Sequence, residues 1–279
     1  MDLARDVVVG EVTNTPGVHG FALAPELGRG YASCGQNNQA AVVDLATLQA
    51  LAHVATGKNP DAILYEPGRR EVYAFNGRGN SVTVFEALSG AVTNTIALPG
   101  KPEFAVVDVE AGRVYCNIED RNAVVAIDTR THQVVNTWPT APGDEPVGLA
   151  IDPARHRLFV GCHNTCMVMM DSTNGAVLAT VQIGQGVDAT AFDPGTRLAF
   201  SSCGDGTVTV AREGAADAFT VVQTLTTERG ARTMALDPTT HRIYLASARF
   251  DPPAAGAVSA RPKMIAGSMK MLIYGMEAP

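Results

Sequence analysis

The chain has little of several things. Aromatic residues make up 6% of its 279 residues, with one tryptophan, Trp138. Charged residues make up 18%, below the roughly 25% of an average globular chain. Apolar residues stand at 46%, which excludes a disordered chain. No apolar run approaches the roughly 18 residues of a membrane-spanning helix. Basic blocks are missing and the net charge is -7, a poor balance for a phosphate-backbone binder. The five cysteines are odd in number and scattered, unlike a disulfide framework. The opening Met1–Val12 has acids where a signal peptide carries bases, and no apolar h-region. Helical periodicity is absent too. Phosphate-loop, nucleophile-elbow, zincin and EF-hand motifs do not occur.

What is present is a repeat. Six segments align on Val18, Pro60, Pro102, Pro146, Val187 and Ala231, spaced by 42, 42, 44, 41 and 44 residues. Each opens on an Ala-rich apolar run such as Ala189-Thr190-Ala191-Phe192, then turns at Asp-Pro or Gly, as at Asp152-Pro153. A β-branched or aromatic run follows, such as Val72-Tyr73-Ala74-Phe75. A Gly/Asn loop leads to a third run and a polar turn to a fourth. Four short strands per 40–45 residues predict an all-β chain, a β-propeller of four-stranded blades. The repeats fall near 16–57, 58–99, 100–143, 144–184, 185–228 and 229–279, all in one propeller domain.

The repeats resemble the YVTN-type β-propeller family, the YncE-like proteins. Arg70-Glu71-Val72-Tyr73, Asn80-Ser81-Val82-Thr83-Val84-Phe85 and Gly57-Lys58-Asn59-Pro60 carry that family's repeat frame, over residues 1–248 closely and the last 31 loosely. A WD-type repeat fits badly, since no Gly-His or Trp-Asp pair recurs. The resemblance implies the fold strongly and the function weakly. It also implies an exported, periplasmic or cell-envelope protein; with Met1 as the true start, the expectation is cytoplasmic instead.

Met1-Asp2-Leu3-Ala4 aligns with Val43-Asp44-Leu45-Ala46, which makes Val7–Val12 a fourth strand without the three before it. The last repeat supplies three strands and no fourth. Six blades' worth of strands are therefore expected here. Either residues 1–15 close the last blade, or they remain from a further blade of a seven-bladed parent, the reading the resemblance favours.

In a propeller the first strand lines the central channel and the second returns antiparallel. The start of the first strand and the loop after the second thus share one face. The positions that start the first strands are His19, Asp61, Glu103, Val147, Asp188 and Arg232, five of six ionisable. These polar groups at a channel mouth form the expected ligand-binding site, with Arg78 and Arg121 on the loops above. Glu119, Asp120 and Asp205 are further recognition candidates. As a hydrolase the chain would use Asp61, Glu103 or Asp188 as general base and Arg232 to stabilise an oxyanion. No cofactor is expected, although a divalent metal could sit among the mouth carboxylates and His19.

Cys34, Cys162 and Cys203 each stand 15 residues after the mouth position of their repeat. Equivalent positions in neighbouring sheets lie about 10 Å apart, beyond disulfide reach. Buried thiols are expected there. Cys162-His163-Asn164-Thr165-Cys166 lies on a hairpin loop, where the two cysteines could pair, hold a metal with His163, or stay reduced. His53, His132, His156 and His241 fall in turns or outer strands and are expected to be solvated. A Pro/Ala-rich insert, 249–267, is expected to project over the mouth.

Two function classes follow. The leading one is a monomeric, non-catalytic scaffold that takes a protein or peptide partner, or a small molecule, at the channel mouth. The alternative is an enzyme there, lactonase-like or quinoprotein-like by fold analogy alone. Nucleic-acid binding is the third, carried by a local basic patch of Arg249, Arg261 and Lys263 against the net charge.

Overall fold

The computed structural model describes residues 1–251 and 263–276. The chain divides into two compact units, Met1–Pro139 and Thr140–Pro279. Both contain only short strands and single 3-10 turns. The first unit holds three meander sheets, each pairing its strands in chain order. They are β1 (Val18–Ala24), β2 (Arg29–Cys34), β3 (Gln39–Asp44) and β4 (Ala50–Ala55); β5 (Pro60–Glu66), β6 (Glu71–Asn76), β7 (Ser81–Glu86) and β8 (Val92–Ala97); and β9 (Pro102–Asp108), β10 (Arg113–Ile118), β11 (Ala123–Asp128) and β12 (Gln133–Pro139).

The second unit repeats the plan. Its sheets are β13 (Pro146–Asp152), β14 (Arg157–Cys162), β15 (Cys166–Asp171) and β16 (Val177–Gln182); β17 (Val187–Asp193), β18 (Leu198–Cys203), β19 (Thr207–Glu213) and β20 (Phe219–Thr226); and a three-stranded β21 (Met234–Asp237), β22 (Arg242–Ser247) and β23 (Lys270–Tyr274). The expected four-strand repeat thus stands in five sheets. The last has three strands among the described residues. Most of the 249–267 insert lies outside the described residues, as does Arg261.

Second and third strands are buried on both faces, because a sheet sandwiched between sheets has no solvent side. Their aromatic residues pack across neighbouring sheets. Tyr31 stacks on Tyr65 at 6.2 Å, meets Phe85 edge-on, and donates its hydroxyl to Ala87 O at 2.9 Å. In the second unit Phe159, fully buried, stacks on Phe192 at 4.6 Å beside Phe219. Fourth strands are largely exposed, having one face to bury.

The turns away from the first-strand starts repeat as well. Asp44, Asp128 and Asp171 end third strands and accept N–H groups from the turn that follows. Each pairs with the arginine opposite it, Arg29 at 3.0 Å, Arg113 at 2.6 Å and Arg157 at 3.5 Å. Two histidines expected to be solvated are paired with carboxylates, His132 with little exposure and His241 with a third of its side chain still in solvent. His132 lies 2.8 Å from Glu71 of the preceding sheet, and His241 lies 2.7 Å from the buried Asp193. Carboxylates of a neighbouring sheet draw them in, a contact that local sequence does not show.

The predicted strand at Val7–Val12 does not form. Residues 1–15 hold one isolated bridge, Asp2 to Val7. Val7, Val8 and Val9 are exposed, and Val12 is half-buried against Ala32, Cys34, Ala41 and Val43. Valine-rich runs favour strands only with a sheet edge to pair with, and none is paired here.

Phe159→Ala should remove about 3–5 kcal/mol of unfolding free energy, the usual cost of emptying an aromatic core site. The exposed Val222→Ala should change it by about 0.5 kcal/mol or less. Urea unfolding of both variants checks the difference.

Candidate functional site

A β-bulge opens the first strand in each of the five four-stranded sheets. Pairing of first to second strand shifts between Val18 and Phe21, between Pro60 and Ile63, between Pro146 and Gly148, and between Val187 and Ala189. For β9 the shift falls between Cys116 and Ile118 on the partner strand. His19, Asp61, Glu103, Val147 and Asp188 sit within these bulges. A bulge frees a residue from the ladder and re-aims its side chain. Arg232 lies two residues before β21.

Hydroxyls hold the freed backbone. Ser33 Oγ in β2 donates to the carbonyl of Asp61, and Ser202 Oγ in β18 to that of Arg232. Both serines occupy the same repeat position and reach into the next sheet. Backbone bonds fix the facing loops. Gly35, Gly77, Glu119, His163 and Gly204 each donate N–H to the residue two before their own sheet's bulge position, at 2.8–3.1 Å. Gly77 stands over Asp61: a Cβ added there would lie 3.8 Å from the Asp61 Cβ.

In the first unit this frame assembles a charged cluster. His19 Nδ1 lies 3.4 Å from Asp61 Oδ1. Lys101 Nζ lies 2.6 Å from Glu103 Oε1 and also bonds Glu119 Oε2. One ammonium therefore serves two carboxylates, with a third, Asp61, close enough to act on Glu103 through its charge. Burial is the largest influence on Glu103. With the Asp61 and Glu119 charges it outweighs Lys101 and raises the carboxyl to about 7. Burial works against the Lys101 ammonium, but hydrogen bonds to Glu103 and Glu119 hold it above its usual range.

In the second unit Asp188 is engaged locally. Thr233 Oγ1 donates to its Oδ2 at 3.1 Å, and Arg232 Nε lies 3.9 Å from its Oδ1. Arg232 is more than half exposed. Val147 is buried and apolar.

The loop candidates divide. Arg78 is exposed, and Arg121, also exposed, donates Nε to Pro99 O at 3.1 Å. Asp120 and Asp205 are latches: their carboxylates accept the N–H of Lys101 and Gln185, each at 2.7 Å. Cys34, Cys116, Cys162 and Cys203 are buried reduced thiols, and Cys166 is half-buried and reduced. His163 Nδ1 lies 3.4 Å from Glu145 Oε2. Among the described residues, no three His, Cys, Asp or Glu side chains come together as a metal cluster, and no helix is long and apolar enough to cross a membrane.

Two features escaped sequence reasoning. Lys101 was one: it stands two residues before the bulge position and matters only because Glu103 and Glu119 meet it in space. The other is a groove of about 590 Å³ in the second unit, lined by Leu198, Phe200, Val222, Leu225, Ile243 and Tyr274 among others. It opens beside β23, whose outer edge carries no fourth strand among the described residues. The three-strand count of the last repeat was the available signal.

No family model matches the chain, and no curated protein does. Solved structures do. The hydrazine synthase of Kuenenia stuttgartiensis aligns over 86% of this chain and 76% of its own, with 17% identity and a TM-score of 0.74. A chain of a mitotic checkpoint complex aligns over 85% of this chain and 73% of its own, with 13% identity and a TM-score of 0.74. At such identities the likeness shows the fold alone, and that fold is a β-propeller.

Glu103 makes the cluster pH-sensitive. Its carboxyl ionises near 4.5 in the unfolded chain and at about 7 in the folded one. The folded chain holds the extra proton between these values, so its contribution to stability is fully present below pH 4.5 and is lost as pH rises through 7. Carbon-13 titration of the Glu103 carboxyl should give a midpoint near 7. Lys101→Met should raise that midpoint further, since Lys101 is the group that lowers it; a fall would contradict the assignment.

Proposed function

We propose that the chain is a non-catalytic propeller of YVTN-repeat type that binds a protein or peptide partner through the bulged first-strand ends. The repeat frame and the fold support the type. The charge balance around Glu103 carries the binding reading: Glu103 and Glu119 share the ammonium of Lys101, and the Asp61 charge acts on Glu103 as well. A carboxylate raised to about 7 gains from any further cation placed beside it, and a lysine or arginine side chain of a peptide supplies one. Arg78 and Arg121 at the rim would select against partners that carry bases throughout. The checkpoint-complex chain belongs to an assembly, which agrees with a scaffold role without defining it.

One observation favours catalysis as the second reading. A partly buried glutamate ionising near neutral pH has the properties of a general acid–base. Lactone opening would use it to activate water.

Binding of a fluorescent octapeptide with two central arginines, followed by anisotropy, tests the first reading. Ionisation of Glu103 should strengthen binding between pH 6 and 8. Asp61→Asn with Glu103→Gln should weaken it by about tenfold, as loss of one charged contact of about 1.4 kcal/mol would. Equal affinity for a citrulline-substituted peptide would sink the binding reading. Turnover of a sugar lactone by the parent, abolished in Glu103→Gln, would establish the second.

A further inference from the structure

We propose that Cys162 and Cys166 are a redox-modification site: they close into a cross-strand disulfide by exchange with a small soluble disulfide. Register carries the argument. Cys162 ends β14, Cys166 begins β15, and the two are direct partners across the antiparallel pair. Direct partners project to the same face, with Cα atoms about 4.5–5.5 Å apart in either kind of antiparallel pair. That span lies inside the roughly 4.4–6.8 Å a disulfide accepts. No other two cysteines are strand partners: Cys34, Cys116 and Cys203 belong to three different sheets.

Exposure assigns the order of events. Cys166 is half-buried and reachable, whereas Cys162 is fully buried. Gly143 lies over Cys162, so close that a Cβ there would come within 2.6 Å of Sγ. The Cys166 thiolate attacks one sulfur of the soluble disulfide. That S–S bond breaks, one thiolate leaves, and Cys166 holds a mixed disulfide. Cys162 then gives its proton to solvent and attacks Cys166 Sγ, expelling the second thiolate. The protein loses two electrons and two protons, and the soluble disulfide becomes two thiols.

The site has a defined neighbourhood. The three residues between the cysteines form a loop tied to the preceding segment. Asn164 Nδ2 donates to Pro142 O at 2.8 Å, Asp144 N–H donates to Asn164 Oδ1 at 3.1 Å, and His163 N–H donates to Glu145 O. A disulfide at the base of this loop would set the position of His163 and Asn164 by oxidation state. Burial raises both thiols, Cys162 to about 12, so the reduced pair is slow to react near neutrality.

Incubating the full chain with oxidised glutathione at pH 7.5 and 8.5, quenching with an alkylating agent and measuring intact mass tests this. The expected result is a loss of about 2 Da, the two hydrogens of cystine formation. Of the five thiols, three should remain alkylatable, with a Cys162–Cys166 link in the peptide map. The rate should rise about tenfold per pH unit, following the thiolate fraction. Cys162→Ser should stop at a lasting glutathione adduct on Cys166, and Cys166→Ser should abolish both the mass loss and the adduct at this hairpin. Five alkylatable thiols after overnight oxidation would overturn the proposal. So would a stable glutathione adduct on Cys166 of the parent, or a link between any other pair.

Discussion

Apolar contact between neighbouring sheets is the constraint on which everything else in this chain rests. A single four-stranded meander has two faces, and its middle strands here are apolar on both. Tyr31, Tyr73 and Phe159 stand at one repeat position and are fully buried against residues of adjoining sheets. No sheet could retain that packing alone, since a lone sheet leaves one face or both in water. Burial between sheets fixes their order and so the places where strands start. Charge chemistry is confined to strand ends because the strand middles are committed to the core.

The bulges turn that scaffold into a set of presented side chains. A regular ladder would give each residue at the first-strand start either to the core or to the neighbouring strand. The shift in register releases one residue per four-stranded sheet, and at Asp61 a hydroxyl from the adjoining sheet, that of Ser33, stabilises the carbonyl left over. Presentation is therefore a property of the backbone, whatever the side chain. Val147 occupies the same position as Glu103 and is simply buried.

How much of this was legible depended on whether a feature was local and repeated. The spacing from Val18 to Ala231, the strand runs and the mouth positions all follow from period and pattern, because each repeat restates them. Lys101 was not legible, since nothing in its own segment distinguishes it from a solvated lysine. Its role comes from Glu103 on β9 and Glu119 on the turn after β10 arriving beside it. Asp120 and Asp205 show the opposite case: they look like recognition groups, and each also accepts a backbone N–H from a neighbouring segment that local sequence does not reveal. His132 and His241 followed the same logic, with partners 61 and 48 residues away. At Val7–Val12 local propensity was correctly read and tertiary pairing was absent.

The tethered loops have a consequence for how this surface can change. Gly35, Gly77, Glu119, His163 and Gly204 are held by main-chain bonds, and Asp120, Asn164 and Asp205 anchor the same loops to backbone N–H groups. At two exposed tips, Arg78 and Arg121, the side chain adds little to this hold beyond one bond from Arg121 Nε to Pro99 O. Their side chains can be exchanged while the loops keep their paths. A scaffold built this way can change specificity at such exposed tips, where a substitution costs about 0.5 kcal/mol or less of folding stability.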